Sequence, residues 1–154
     1  MTNANSFPAG YHTVTPYLCL QGAAEALEFY KRAFGALETL RIAGPEGKIG
    51  HAEIQIGDSR IMLADEFPAM DFLSPQSRGG STIHIHLYVD DVDSRVAQAV
   101  AAGASLKKPV KDEFYGDRIG SVVDPFGHVW HIATRKEDLS SAELARRAEQ
   151  AMKK

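Results

Sequence analysis

The segment "AFGALETL" (Ala33 to Leu40) settles the architecture, because the chain writes a second version of it as "AAGASLKK" (Ala101 to Lys108). Each ends a helical pattern with an alanine, a bulky or small apolar residue and a glycine, then starts an extended run. Before Gly35, the residues Ala26, Leu27, Tyr30 and Phe34 recur at helical spacing, so a helix is expected over Ala23 to Phe34 with the glycine as its stop. Before Gly103 the same reasoning gives a helix over Val92 to Ala102.

On either side of these segments the two halves keep the same order. In the first, Thr13 to Leu20 reads as a strand, with Pro16 making it an edge or irregular one. Strands are expected over Leu37 to Ala43, Ile49 to Ile56 and Arg60 to Ala64, separated by the turn signals Gly44-Pro45-Glu46-Gly47 and Gly57-Asp58. In the second, strands are expected over Ser81 to Val89, Leu106 to Val110, Ile119 to Val123 and Val129 to Thr134, the last two joined by Asp124-Pro125-Phe126-Gly127. Both halves read β-α-β-β-β, which is the signature of a duplicated unit. The aperiodic segment Asp65 to Gly80 is expected to be a linking or lid loop. After Arg135, Ser141 is a plain N-cap candidate for a tail helix over about 139–153, with Leu144, Ala145, Ala148 and Met152 on one face.

Side-chain parity sorts the strands. Tyr17 and Cys19 oppose Leu18 and Leu20; His51, Glu53 and Gln55 oppose Ile54 and Ile56; Met62 and Ala64 oppose Ile61 and Leu63. His84, His86 and Tyr88 oppose Ile85, Leu87 and Val89, and His131 opposes Trp130 and Ile132. One apolar and one mixed face per strand is what helices covering a single side of a sheet require.

The bulk numbers narrow the function. The 154 residues are 44% apolar and 24% charged, the balance of a globular chain with an ordinary core. A net charge of -3 offers no basic surface for nucleic acid. The N-terminus MTNANSFPAGYH lacks signal-peptide design, no apolar run suffices to span a membrane, and a lone Cys19 excludes an internal disulfide or a multi-cysteine zinc cluster. A cytoplasmic protein is expected, with about ten disordered residues at its start. There is no Walker loop, no GxGxxG and no GxSxG. The acidic run Asp90, Asp91, Asp93 falls at a helix start and is read as capping. His128, in its turn, is expected to be exposed.

Four stretches, "ALEFYKRAFGA" (Ala26 to Ala36), "GKIGHAEIQIGDSRIMLADE" (Gly47 to Glu66), "LYVDDVDSRVAQAVAAGA" (Leu87 to Ala104) and "FYGDRIGSVVDPFGHVWHIAT" (Phe114 to Thr134), give the chain a resemblance to the vicinal-oxygen-chelate superfamily. That superfamily includes glyoxalase I, bleomycin-resistance proteins, fosfomycin-resistance enzymes and extradiol dioxygenases. The resemblance implies an α+β fold in which two βαβββ modules curl a mixed sheet into a cup or barrel with helices outside. It implies one glyoxalase-like domain, with modules at about 12–66 and 81–135, and commonly a homodimer. Family metal ligands lie on the first and fourth strand of each module. Carried over, these points fall on His84 and His131 in the second module, and on Thr15 and Met62, poor ligands, in the first.

Two functions follow. One is a binding module that sequesters a small organic ligand, with Tyr17, Tyr88, Tyr115 and Met62 giving apolar contact, His51, His84, Glu53 and Arg118 orienting it, and His86 lining the pocket. In the alternative for Arg118, it pairs with a neighbour in sequence such as Asp117 or Asp124. The other function is a lyase, isomerase or dioxygenase using a divalent metal (Zn, Ni, Mn or Fe) on His84 and His131, with Glu53 shuttling a proton.

Overall fold

The computed structural model describes residues 4–153. They form two compact units, divided between Gly80 and Ser81. The first unit runs β1 (Tyr17–Leu20), α1 (Ala23–Phe34), β2 (Leu37–Ala43), β3 (Ile49–Ile56), β4 (Ser59–Asp65) and a short α2 (Pro75–Arg78). The second runs β5 (His84–Tyr88), α3 (Val92–Ala102), β6 (Ser105–Asp112), β7 (Asp117–Val123), β8 (Val129–Arg135) and α4 (Ser141–Met152). Each unit holds one four-stranded mixed sheet, in the order β1-β4-β3-β2 and β5-β8-β7-β6. In each, the first strand pairs in parallel with the fourth and the other ladders are antiparallel. The α+β architecture and the duplicated order are as expected. Among the described residues no ladder joins the sheets, so neither closes into a barrel.

The two related segments end their helices by the same device. Gly35 takes φ 67° and Gly103 φ 126°, conformations that an L side chain rarely adopts. The next residue then bonds back across the helix end: Ala36 N–H donates to Tyr30 O, and Ala104 N–H to Ala99 O. Ala36 and Ala104 are both buried, which explains why a small residue follows each glycine.

The helix starts are matched as well. In the first unit, Asp65 at the end of β4 accepts from the N–H groups of Gly22 and Ala23, both at 2.9 Å. In the second, Thr134 of β8 accepts from Val92 N–H at 2.9 Å and donates to Val89 O. The last strand of each unit thus holds the first turn of its helix. α1 packs against β2, β3 and β4 and buries Ala26, Leu27, Tyr30 and Phe34; Leu18, Leu20, Ile54 and Leu63 of the sheet are buried as well. α3 packs Val92, Val96 and Ala99 in the same way, and Trp130, Ile132 and Val122 are fully buried.

Several expectations are corrected. β1 begins at Tyr17 rather than Thr13, since Pro16 has no N–H to give a ladder and Val14 before it is exposed. β5 is shorter than Ser81 to Val89, while β6 and β7 extend beyond their expected ends. The segment 65–80 is not structureless: it holds a 3₁₀ turn at Pro68–Met70 and α2. The N-cap of α4 is Ser140, whose hydroxyl accepts from Glu143 N–H, not Ser141. On α4, Leu144 and Ala148 are half-buried, but Ala145 and Met152 are exposed. His128 is buried, because the turn Asp124–His128 folds in around the Asp124 carboxylate. Of the expected N-terminal disorder, residues 1–3 lie outside the described residues, and Tyr11 is fixed by a side-chain bond to Glu53.

Candidate functional site

Strand register builds a row of side chains across each sheet. In the first unit Tyr17 pairs with Met62, and Met62 with Glu53, so the three lie in line on the face away from α1. His51, two residues before Glu53 on β3, shares that face. The polar members are chained. Tyr17 Oη lies 3.2 Å from His51 Nδ1, His51 Nε2 lies 2.8 Å from Glu53 Oε2, and the Tyr11 hydroxyl donates to Glu53 Oε1. Burial works against the Glu53 charge, but bonds from Tyr11 and His51 outweigh it and hold the carboxyl below its ordinary range. Burial and the Glu53 bond push Tyr11 up to about 12. Tyr17 is also raised, by burial first.

Beside this row lies a cleft of about 650 Å³. Tyr17, Ile49 and Ala64 supply one side; Phe67, Met70 and Phe72, from the 65–80 segment, supply another. Tyr17 and Phe72 pack ring on ring at 5.1 Å. Glu66 secures that segment by accepting from Ser74 N–H at 2.9 Å and from the Ser77 hydroxyl at 2.8 Å.

In the second unit the corresponding row is His86, His131, Ser121 and Lys108. His131 Nε2 lies 2.9 Å from His84 Nδ1, and its Nδ1 lies 2.6 Å from Ser121 Oγ. Burial, then the neighbouring His84 and His86, hold His131 below its ordinary 6.5. A second cleft, about 430 Å³, is lined by His86, Tyr88, Lys108, Tyr115, Ser121 and His131 among others. The Tyr88 hydroxyl donates to the buried Asp117 at 3.0 Å.

The structure places the expected residues unequally. Tyr17, His51 and Glu53 form one connected group, with Met62 in the middle of their row. His84 and His131 meet, and His86 stands beside them, its ring 6.3 Å from that of His131. Tyr88 and Tyr115 share the second cleft. Arg118 is already engaged: it grips Asp93 through two nitrogens at 2.8 and 2.9 Å and reaches Asp112 at 3.2 Å. These partners replace the Asp117 or Asp124 that its neighbourhood in sequence suggests. Asp91 caps α3, as expected, through Ser94 N–H. The sequence reading missed Tyr11 and Ser121 as site residues. Tyr11 sits in an aperiodic segment, whereas Ser121 could have been found by parity as the neighbour of His131 across β7 and β8.

The fit of a divalent metal rests on the donor set. Two nitrogens on one ion at about 2.1 Å stand about 3.0 Å apart at the right angles of octahedral coordination and about 3.4 Å apart on a tetrahedral Zn²⁺; His84 Nδ1 and His131 Nε2 are 2.9 Å apart, which is also a hydrogen-bond distance. A metal centre needs at least three protein ligands. No cluster of three or more His, Cys, Asp or Glu side chains able to hold one occurs among the described residues. The pair is half of a site, and it does not by itself fit a resident metal.

Comparison with known proteins agrees with this fold. The model of the glyoxalase/bleomycin resistance protein/dioxygenase superfamily matches residues 12–132. Rv0887c of Mycobacterium tuberculosis is 39% identical over 134 residues, covering 85% of this chain and 79% of its own. The X-ray structure of the Arabidopsis thaliana At5g48480 product superposes with a TM-score of 0.65 at 28% identity, over 80% of this chain and 98% of that one. A point mutant of the fosfomycin resistance protein FosX of Listeria monocytogenes, complexed with Mn(II) and 1S,2S-dihydroxypropylphosphonic acid, superposes with a TM-score of 0.63 over 89% of this chain and 97% of that one. Its 16% identity makes this a likeness of fold. With the family model spanning most of the chain and both duplicated halves, the chain belongs to the glyoxalase/bleomycin resistance protein/dioxygenase superfamily.

Proposed function

We propose that this protein binds a small, largely apolar organic molecule in the cleft of its first unit and acts by holding it. The observation that carries the reading is the cleft wall: Tyr17, Phe67, Met70 and Phe72 set a mostly apolar surface around about 650 Å³, within the size range of drug-like ligand sites. Phe67 and Met70 are exposed, and large apolar side chains gathered beside a cleft in this way mark a binding surface. We place the protein in the cytoplasm as a homodimer; Leu37, Leu40 and Ile42, exposed along the edge strand β2, offer a surface for a second copy.

The metal-dependent alternative draws on the His84–His131 approach and on the Mn(II) carried by the FosX structure. It is the weaker reading, because the first unit adds only Thr15 and Met62 at the matching points.

Thermal unfolding with a panel of planar aromatic compounds tests the proposal. A ligand at about 100 times its Kd adds about 2.7 kcal/mol to stability, a rise of several degrees in Tm. That rise is expected in the wild type and is lost in Phe72→Ala. A panel that leaves Tm unmoved, or a shift that survives Phe72→Ala and Phe67→Ala together, would sink it.

A further inference from the structure

The chain Tyr11, Glu53, His51, Tyr17 has an order that simple pinning of the N-terminal segment does not need. We propose that Tyr17 is the outer end of a proton relay that accepts a proton from an acidic hydroxyl, a phenol or an enol, of a ligand held in the first cleft. His51 and Glu53 are its positioning residues. The inference rests on the cleft being a binding site.

The geometry sets the direction. Glu53 is a carboxylate that takes the Tyr11 hydroxyl on one oxygen and faces His51 Nε2 with the other at 2.8 Å. A carboxylate only accepts, so His51 carries its proton on Nε2 and turns the Nδ1 lone pair to Tyr17. At 3.2 Å from that nitrogen, the Tyr17 hydroxyl donates inward. Tyr17 lines the cleft, and a hydroxyl that donates inward keeps oxygen lone pairs with which to accept from a ligand hydroxyl.

Transfer then needs no co-reactant. The ligand O–H bond breaks and its proton passes to the Tyr17 oxygen, while the Tyr17 O–H bond breaks and that proton passes to His51 Nδ1. The electron pair of the ligand O–H bond stays on the ligand oxygen. The result is a ligand oxyanion and an imidazolium held by Glu53 across the ring, an arrangement in which a carboxylate both orients the imidazole and stabilises its charged form. The edge-on contact of His51 with the Tyr17 ring at 5.4 Å and the packing of Phe72 on that same ring hold the phenol in place. Tyr17 belongs to β1 and His51 and Glu53 to β3 of the first unit, with Tyr11 ahead of β1, whereas His84 and His131 belong to the second.

The test uses 4-nitrophenol, whose ionised form absorbs in the visible, and 4-nitroanisole, which has no proton to give. In buffer more acidic than the pKa of free 4-nitrophenol, the full-length wild type is expected to bind both and to give the phenolate band with the phenol alone. Tyr17→Phe and His51→Ala are expected to abolish the band even at probe concentrations that saturate each variant, with 4-nitroanisole binding measured on each to set those concentrations. Glu53→Gln weakens the band, and Tyr11→Phe, which removes only the outer bond, largely keeps it. Binding of both probes with no phenolate band overturns the relay and leaves the binding reading intact, as does a band that survives Tyr17→Phe. Failure of both probes to bind overturns the two together.

Discussion

The indole N–H of Trp130 donates to Asp124 Oδ2 at 2.9 Å, while Oδ1 of the same carboxylate takes the N–H groups of Phe126 and His128, both at 2.9 Å. Asp124 is 4% exposed and Trp130 fully buried, so the turn and the strand after it are closed around one charged group. Removing the carboxylate leaves three donors short of partners inside the second unit. With about 1–3 kcal/mol lost for each unsatisfied buried group, Asp124→Ala is expected to cost about 3 kcal/mol or more, and Asp124→Asn less, because one acceptor oxygen remains. Trp130 is the only tryptophan, so urea unfolding followed by its fluorescence reads the effect directly. A loss below about 0.5 kcal/mol for the alanine variant, the size of an ordinary surface change, would show that the turn finds other partners.

The acid response of the first unit turns on Glu66. Bonds from the Ser74 hydroxyl and N–H, then from Ser77 and Gln21, outweigh burial and hold its carboxyl near 2 against an ordinary 4.5. A depressed folded value means the stabilisation is full above the unfolded value and is lost as the pH falls through the folded one. The window is therefore pH 4.5 down to about 2. Glu66→Gln is expected to lower the urea midpoint by a constant amount above the window and to converge on the wild type within it. Because Glu66 fastens the segment carrying Phe67 and Phe72, aromatic ligands should weaken over the same range. Parallel pH curves for wild type and variant down to pH 2 would refute the assignment.

How much of this was legible follows from how local the signal is. The glycines at 35 and 103, and the periodic residues before them, determine both helices within the chain itself, and these appear with the expected bounds. Strand parity likewise put His51 with Glu53 and His84 with His86 on the open faces. What failed was what depends on distant partners. Arg118 has carboxylates beside it in sequence, yet it grips Asp93 and Asp112 because α3 and β6 bring them to its guanidinium. His128 looks like an exposed turn residue until Asp124 is seen to draw the turn inward. Tyr11 has no pattern around it at all, and only the fold carries it to Glu53.

Cys19 bears on covalent chemistry. It is buried on β1, and burial, followed by the nearby Glu66 charge, pushes its thiol up to about 11. The thiolate is the nucleophilic form, so near neutral pH the group is inert as well as shielded. Native protein is expected to react with a thiol-specific chromogenic disulfide at least tenfold more slowly than the unfolded chain, and Cys19→Ser should leave ligand binding unchanged. Native labelling as fast as that of the unfolded chain would mean that Cys19 is open to solvent and activated.

The His84–His131 pair makes the last prediction. Two imidazole nitrogens 2.9 Å apart can share an ion, but with two protein ligands the remaining positions fall to water, and retention is poor. Protein purified without chelator is expected to carry well under one equivalent of Zn, Ni, Mn or Fe by elemental analysis. Brief treatment with a chelator should strip what is there without changing Tm. Added Zn²⁺ should bind weakly, and binding should vanish in His84→Ala and His131→Ala alike, because each leaves a single imidazole. The Ser121 hydroxyl at 2.6 Å from His131 Nδ1 orients that ring, so Ser121→Ala should weaken the residual affinity by about 10-fold or more, the usual effect of a group that positions a metal ligand. A full equivalent that survives the chelator and disappears with His84→Ala would reverse the ranking of the two functional readings. It would require a third ligand that a two-imidazole half-site cannot supply.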